Sequence, residues 1–266
     1  MTAAPVVHAY GPDPDQFLEV TLPDFEGAAP VVVVLHGGFW RARYGIELAR
    51  PLAADLAARG WAAVAVEYRR VGAGGGWPAT LDDVAAALDA LPEAPGAGRL
   101  DLSDVTVVGH SAGGHLAAWV AARGRLPDGA PGARPRVPVG AVVAQAGVLD
   151  LAAAVAADLG DGATVDLLGG TPAEVPDRYA VADPARLLPT GVPVLCVHGA
   201  QDTTVPLDQS ERFRTAGTAA GDAVEVSVVP GDHMAVIDLA GEAWRRTVTW
   251  LTARRTTAPD STTLGP

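Results

Sequence analysis

The segment Val107-Val108-Gly109-His110-Ser111-Ala112-Gly113-Gly114 constrains this chain more than any other. A β-branched stretch stops abruptly in a G-x-S-x-G pattern and passes into the helix-like His115 to Arg123. Strand, sharp turn and helix in that order lift a serine hydroxyl above the edge of a sheet, and such a turn needs glycine where a Cβ would strike neighbouring backbone. Gly109 and Gly113 stand at those positions. Ser111 is therefore the candidate nucleophile.

A second segment supplies what acyl transfer needs next. Val31-Val32-Val33-Val34-Leu35 is uninterrupted apolar sequence, as in a parallel strand buried on both faces, and it ends at His36-Gly37-Gly38-Phe39-Trp40. An oxyanion is best stabilised by backbone N–H groups already aimed at it, and glycines permit that approach. The expected donors are the amide of Ala112, after the nucleophile, and the loop Gly37-Gly38-Phe39.

Base and acid are expected in the chain order Ser, Asp, His. Val192 to His198 reads as a strand, followed by a loop carrying Asp202. Val224 to Val229 alternates like a strand near a sheet edge, followed by Pro230-Gly231-Asp232-His233. His233 is the candidate base and Asp202 the candidate acid. Two other acids compete for that role. Asp150, after the strand-like Val139 to Gln145, reads as a helix cap, and Asp232 adjoins His233 and should point away from it. The remaining histidines, His8, His36, His110, His115 and His198, read as structural, although His110 borders the nucleophile and could touch substrate. No H-E-x-x-H or cysteine–histidine cluster is present, so neither a metal nor another cofactor is expected.

Taken together, the His36 to Trp40 segment, the Gly109 to Leu116 segment and His198-Gly199-Ala200-Gln201-Asp202 resemble the α/β-hydrolases. Within that superfamily the resemblance is to the kynurenine formamidase (arylformamidase) and hormone-sensitive-lipase-like carboxylesterase groups, over about Leu18 to Leu251. It implies a Ser111–Asp202–His233 triad, and an oxyanion hole at Gly37, Gly38, Phe39 and Ala112. Phe39 occupies a position where lipase-like esterases usually carry a third glycine, which favours the formamidase-like side.

Composition narrows the alternatives. At 266 residues and 49% hydrophobic, the chain can bury one sizeable core. Strand-like runs alternate with Ala/Leu-rich helical stretches at Ile46 to Arg59, Leu81 to Leu91 and Leu207 to Ala220, the pattern of a mostly parallel sheet flanked by helices on both faces. The expected organisation is one domain over residues 1–253, with a small helical cap at about 151–188 and a flexible tail at 254–266. Pro127 to Pro138 reads as a surface loop.

A net charge of −12 disfavours nucleic acid and anionic membrane, and the pairs Arg69-Arg70 and Arg245-Arg246 read as solvated surface. All 19 basic residues are arginine, so a Schiff-base lysine, a P-loop lysine or a Ser-Lys dyad is impossible, and Gly72 to Gly76 reads as a flexible connection. Single Cys196 permits no internal disulfide. With no basic-then-apolar start in Met1 to Gln16 and no apolar run of spanning length, the expectation is a cytoplasmic protein.

Phe39, Trp40, Trp77, His110 and Tyr179 are the candidate substrate contacts, and the aromatics among them favour an apolar or aromatic group. The expected partner is a small-molecule ester or amide. An arylformamidase-type amidase is the second reading, and a non-catalytic binding protein of the same fold the third.

Overall fold

The computed structural model describes residues 4–257. Its frame is an eight-stranded sheet: β1 (Val6–Ala9), β2 (Phe17–Thr21), β3 (Ala29–Leu35), β4 (Ala62–Val66), β5 (Leu100–His110), β6 (Ala141–Gln145), β7 (Val194–Gly199) and β8 (Val224–Val229). The strands lie in the order β1-β2-β4-β3-β5-β6-β7-β8. β2 runs antiparallel to β1 and β4, and every pairing from β4 through β8 is parallel.

Burial on both faces explains the unbroken apolar runs. In β3, Val31, Val33 and Leu35 join one core cluster and Val32 and Val34 the other, as the two-residue period of a strand requires. Helices α2 (Ala79–Asp89), α3 (Ala112–Ala121) and α7 (Asp208–Ala220) cover the first face through Leu81, Val84, Leu88, Leu116 and Phe213. Helices α1 (Arg50–Ala58) and α8 (Glu242–Thr257) cover the second through Leu52, Leu56, Trp244 and Leu251.

Strand order reverses beside β3. The chain leaves β3 toward β4 on one side and reaches β5 on the other, so the loops after β3 and β5 part from adjacent strands. A crevice opens at such a switch point, at the carboxyl ends of the strands. This topology brings His36 to Trp40 beside Ser111.

Residues 151–188 fold as three short helices, α4 (Leu151–Ala156), α5 (Ala163–Leu168) and α6 (Pro176–Ala182). They brace the loop after β3 from outside. A Cβ on Gly160 would meet the Phe39 ring at 2.6 Å, and Arg41 reaches the Asp161 carbonyl at 2.7 Å and the Asp166 carboxylate at 3.0 Å.

Three expectations need correction. The glycine-rich stretch is no loose connection: Ala73 and Gly75 both donate to the Arg70 carbonyl, and a Cβ at Gly75 would fall 2.2 Å from the Arg69 carbonyl oxygen. Arg69 and Arg70 are not surface charges. Arg69 clasps buried Asp83, while buried Arg70 bonds Glu67 and reaches Asp15 at 2.7 Å. Residues 254–257, expected as the start of a tail, instead continue α8 to Thr257, with Arg254 lying over Trp250 and Arg255 over Trp61. Residues 258–266 lie outside the described residues. By contrast Arg245 and Arg246 are exposed as expected.

Candidate active site

Ser111 sits between β5 and α3 with φ 55° and ψ −117°. A non-glycine residue in that region costs about 1–3 kcal/mol and persists only where its surroundings impose it. Here the surroundings are backbone. The Ser111 N–H donates to the Gln145 carbonyl at 2.8 Å, and its own carbonyl accepts from His115 at 3.1 Å. A Cβ on Gly109 would stand 2.0 Å from the Gly113 carbonyl oxygen, and one on Gly113 would stand 2.1 Å from that of Leu35. Only glycine lets α3 press this closely on the strands.

The acid and base loops interlock in the same way. Ala200 donates to the Val229 carbonyl at 2.8 Å, Gln201 to the Gly231 carbonyl at 2.9 Å, and Gly231 to the Gln201 side chain at 2.6 Å. Against this frame His233 Nδ1 donates to Asp202 Oδ2 at 2.7 Å. The other oxygen, Oδ1, accepts from the amides of Thr204 and Val205 at 2.9 Å each. Burial works against the Asp202 charge, but the hydrogen bonds from His198, His233 and the Val205 amide outweigh it and hold the carboxyl well below the usual range. His198 Nε2 shares its one proton between the Val205 carbonyl at 2.8 Å and Asp202 Oδ2 at 3.5 Å, while Nδ1 accepts from Ser210.

Ser111 and His233 open on one cavity of about 430 Å³. Phe39, Tyr44, Leu48 and Met234 form its apolar wall; Arg43, Thr203, Thr204 and Asp232 supply polar groups; Gly38 and His110 complete it. The Ala112 amide opens α3, where first-turn N–H groups face outward. Gly37 lies against the nucleophile, for a Cβ there would be 3.1 Å from Ser111 Cβ. Gly38 at φ 113° and Phe39 at φ 52° turn the loop through the left-handed region.

The competing acids take the structural roles expected of them. Asp150 caps α4 by accepting from Ala153 at 2.8 Å, and Asp232 accepts from Met234 and Ala235 in the turn beyond His233.

Of the five candidate substrate contacts, Phe39 and His110 line the cavity and three do not. Trp40 is buried edge-on to the His115 ring at 5.2 Å. Tyr179 is fully buried and donates to the Gly170 carbonyl at 3.1 Å. Trp77 is half-buried beneath Arg178, 5.9 Å from its ring. Trp40 and Tyr179 belong to the core cluster and Trp77 packs against it. The segment expected as a cap contributes no residue to the cavity lining. Sequence reasoning missed Arg43, Tyr44 and Leu48, on the chain entering α1, together with Thr203, Thr204 and Met234. The last three lie within two residues of the acid or base, a proximity that could have flagged them.

A mostly parallel sheet with a serine on a strained elbow at its switch point, and an Asp–His pair at the next strand ends, defines an α/β-hydrolase. The chain belongs to the BD-FAE family, which it matches over residues 18–216. It is 30% identical over 227 residues to Esterase LipQ of Mycobacterium tuberculosis, covering 83% of this chain and 53% of that protein. With Esterase LipC of the same organism the identity is 29% over 226 residues, covering 77% and 52%. The chain thus spans about half the length of these curated relatives. A truncated carbohydrate esterase from gut microbiota superposes with a TM-score of 0.79 at 23% identity, covering 96% of both chains. Esterase B from Lactobacillus rhamnosis, inhibited by a tributyrin phosphonate, superposes with a TM-score of 0.80 at 23% identity, covering 96% of this chain and 85% of its own. Among the described residues no helix is long and apolar enough to cross a membrane.

Proposed function

We propose that this protein hydrolyses carboxylic esters through an acyl-enzyme on Ser111. The observation that carries the reading is His233, bonded to buried Asp202 at 2.7 Å and facing the same cavity as a serine held at positive φ. With Nδ1–H engaged by Asp202, His233 offers Nε2 as base. It takes the Ser111 proton as Oγ attacks the ester carbonyl and returns that proton to the departing alcohol. Water, activated by the same nitrogen, then attacks the acyl-enzyme, releasing the acid and restoring the serine. The amides of Ala112 and the Gly37-Gly38-Phe39 loop receive the developing oxyanion.

Relatives named as esterases support the ester over the amide. Cavity size and the apolar wall of Phe39, Tyr44, Leu48 and Met234 support small to medium acyl groups, apolar or aromatic. A single cysteine, Cys196, with no internal partner for a disulfide, fits a reducing compartment such as the cytoplasm.

A fluorophosphonate probe tests the nucleophile. It should label Ser111 and nothing else, and Ser111→Ala should abolish both labelling and turnover, a loss on the order of 10⁶ in kcat. Rates on a p-nitrophenyl ester should exceed those on an N-formyl arylamine. The reverse order would make the protein an amidase, and labelling elsewhere would overturn the nucleophile.

A further inference from the structure

Between nucleophile and base stands a histidine for which acyl transfer has no use. His110, next to Ser111, is buried, and its ring lies 4.6 Å from the ring of His233. Its Nε2 is 3.0 Å from the backbone oxygen of His233. A carbonyl only accepts, so Nε2 carries the proton and donates it. Burial, with the charge of His233 adding to it, pushes His110 down to about 3, and the ring is neutral.

Nδ1 is then a bare lone pair. Among the described residues it is buried with no hydrogen-bond partner. On that side the ring abuts the loop after β3, where a Cβ on Gly37 would stand 2.9 Å from Nδ1. One ring therefore touches the oxyanion loop on one side and the base loop on the other, while its own backbone carries the elbow. An unmet buried acceptor costs stability, which a phenylalanine of similar size would avoid. What phenylalanine could not supply is the bond to His233.

We propose that His110, by donating Nε2–H to the His233 carbonyl, is a positioning residue that sets the placement of the base relative to Ser111. The inference rests on the acyl-enzyme reading above. β8 is an edge strand, and its loop is tethered elsewhere at Gly231, by Gln201, and at Val236, by Gln145 Nε2 at 2.8 Å. Neither tether acts on residue 233 itself from the nucleophile's side. His110 does, and a misplacement of about 1 Å at a reacting group can cost 10²-fold in rate.

The experiment compares His110→Phe with His110→Gln, whose amide nitrogen can reach the position of Nε2. His110→Phe should lower kcat and the fluorophosphonate labelling rate at Ser111 by about 10², with KM within about twofold of the native value. His110→Gln should recover most of that loss. In the native protein, ¹⁵N spectra of the imidazole, assigned by proximity of its ring N–H to His233, should show the proton on Nε2. Labelling of folded His110→Phe at the native rate would overturn the proposal. So would a folded His110→Gln as slow as the phenylalanine variant, or a proton on Nδ1. Should His110→Phe fail to fold, the glutamine variant and the tautomer still decide. Absence of Ser111 labelling in the native protein would instead sink the acyl-enzyme reading, leaving the tautomer to judge this one.

Discussion

Replacing Asp202 by asparagine separates charge from shape at the carboxylate that bonds His233, the proposed base. The introduced amide has an oxygen and a nitrogen to place. Thr204 and Val205 both donate to Oδ1 at 2.9 Å, and only the oxygen can accept from them. The NH₂ must then face His233 Nδ1, 2.7 Å away. That nitrogen becomes an acceptor, its proton moves to Nε2, and Nε2 can no longer take the proton of Ser111. The analogous exchange in a serine-protease triad lowers kcat by about 10⁴ through the same wrong tautomer, equivalent to roughly 5 kcal/mol at 1.36 kcal/mol per decade. Stopped-flow and steady-state hydrolysis of a p-nitrophenyl ester should show a kcat loss of that order with KM changed only a few-fold, in a protein of native circular dichroism. Asp150→Asn is the control, because asparagine caps helices as well as aspartate does, and α4 lies away from the cavity. A folded Asp202→Asn retaining more than about a hundredth of the native rate would refute the tautomer argument, as would an equal loss in Asp150→Asn.

Acid should destabilise the fold in a specific window. His110 and His115 are pushed down by burial to about 3 and about 4, whereas unfolded histidine titrates near ~6.5. Their folded values are depressed, so the unfolded chain takes protons first; stability is full above ~6.5 and is lost as pH falls toward 4 and then 3. Asp183, raised by burial to about 6, acts oppositely between ~3.9 and 6. The net between pH 6 and 4 is about one proton, or ~1.4 kcal/mol per pH unit, and urea midpoints that stay flat from pH 7 to pH 4 would contradict it. Cavity and core aromatics should part company in kinetics: Phe39→Ala should raise KM several-fold for aromatic esters. Tyr179→Phe should leave KM alone and lower stability by about 1–3 kcal/mol, the cost of an unmet Gly170 carbonyl. Equal KM effects in the two variants would put Tyr179 back at the substrate.

What could be read without coordinates was whatever the backbone itself demands. The elbow glycines, the runs at β3 and β7 and the loop positions of Asp202 and His233 follow from steric needs and from a sheet buried on both sides, and both signals are local. Trp40, Trp77 and Tyr179 show the limit. Their sequence neighbours say that they stand near the crevice, but which way a ring turns depends on what packs behind it. For Trp40 that is His115, far away in the chain, and for Tyr179 it is the Gly170 carbonyl, brought under the ring by the turn between two short helices. The cavity wall at Arg43, Tyr44 and Leu48 was illegible for a related reason. It is held by a distant carboxylate, Glu67, which accepts from the Ile46 amide at 2.9 Å and bonds His36 at the same distance.

Main chain meeting main chain at Gly109, Gly113 and Leu35 has a further consequence. The position of the reactive oxygen depends on no interchangeable side chain, because carbonyls of the sheet and the first turn of a helix locate it. Tyr44, Leu48, Thr203 and Met234, which face the incoming molecule, belong to other segments and bear no part of that load. The placement of Ser111 is therefore mechanically decoupled from the wall formed by Tyr44 and Leu48. On the acyl-enzyme reading proposed above, exchanging Tyr44 or Leu48 should change which ester is accepted without moving Ser111.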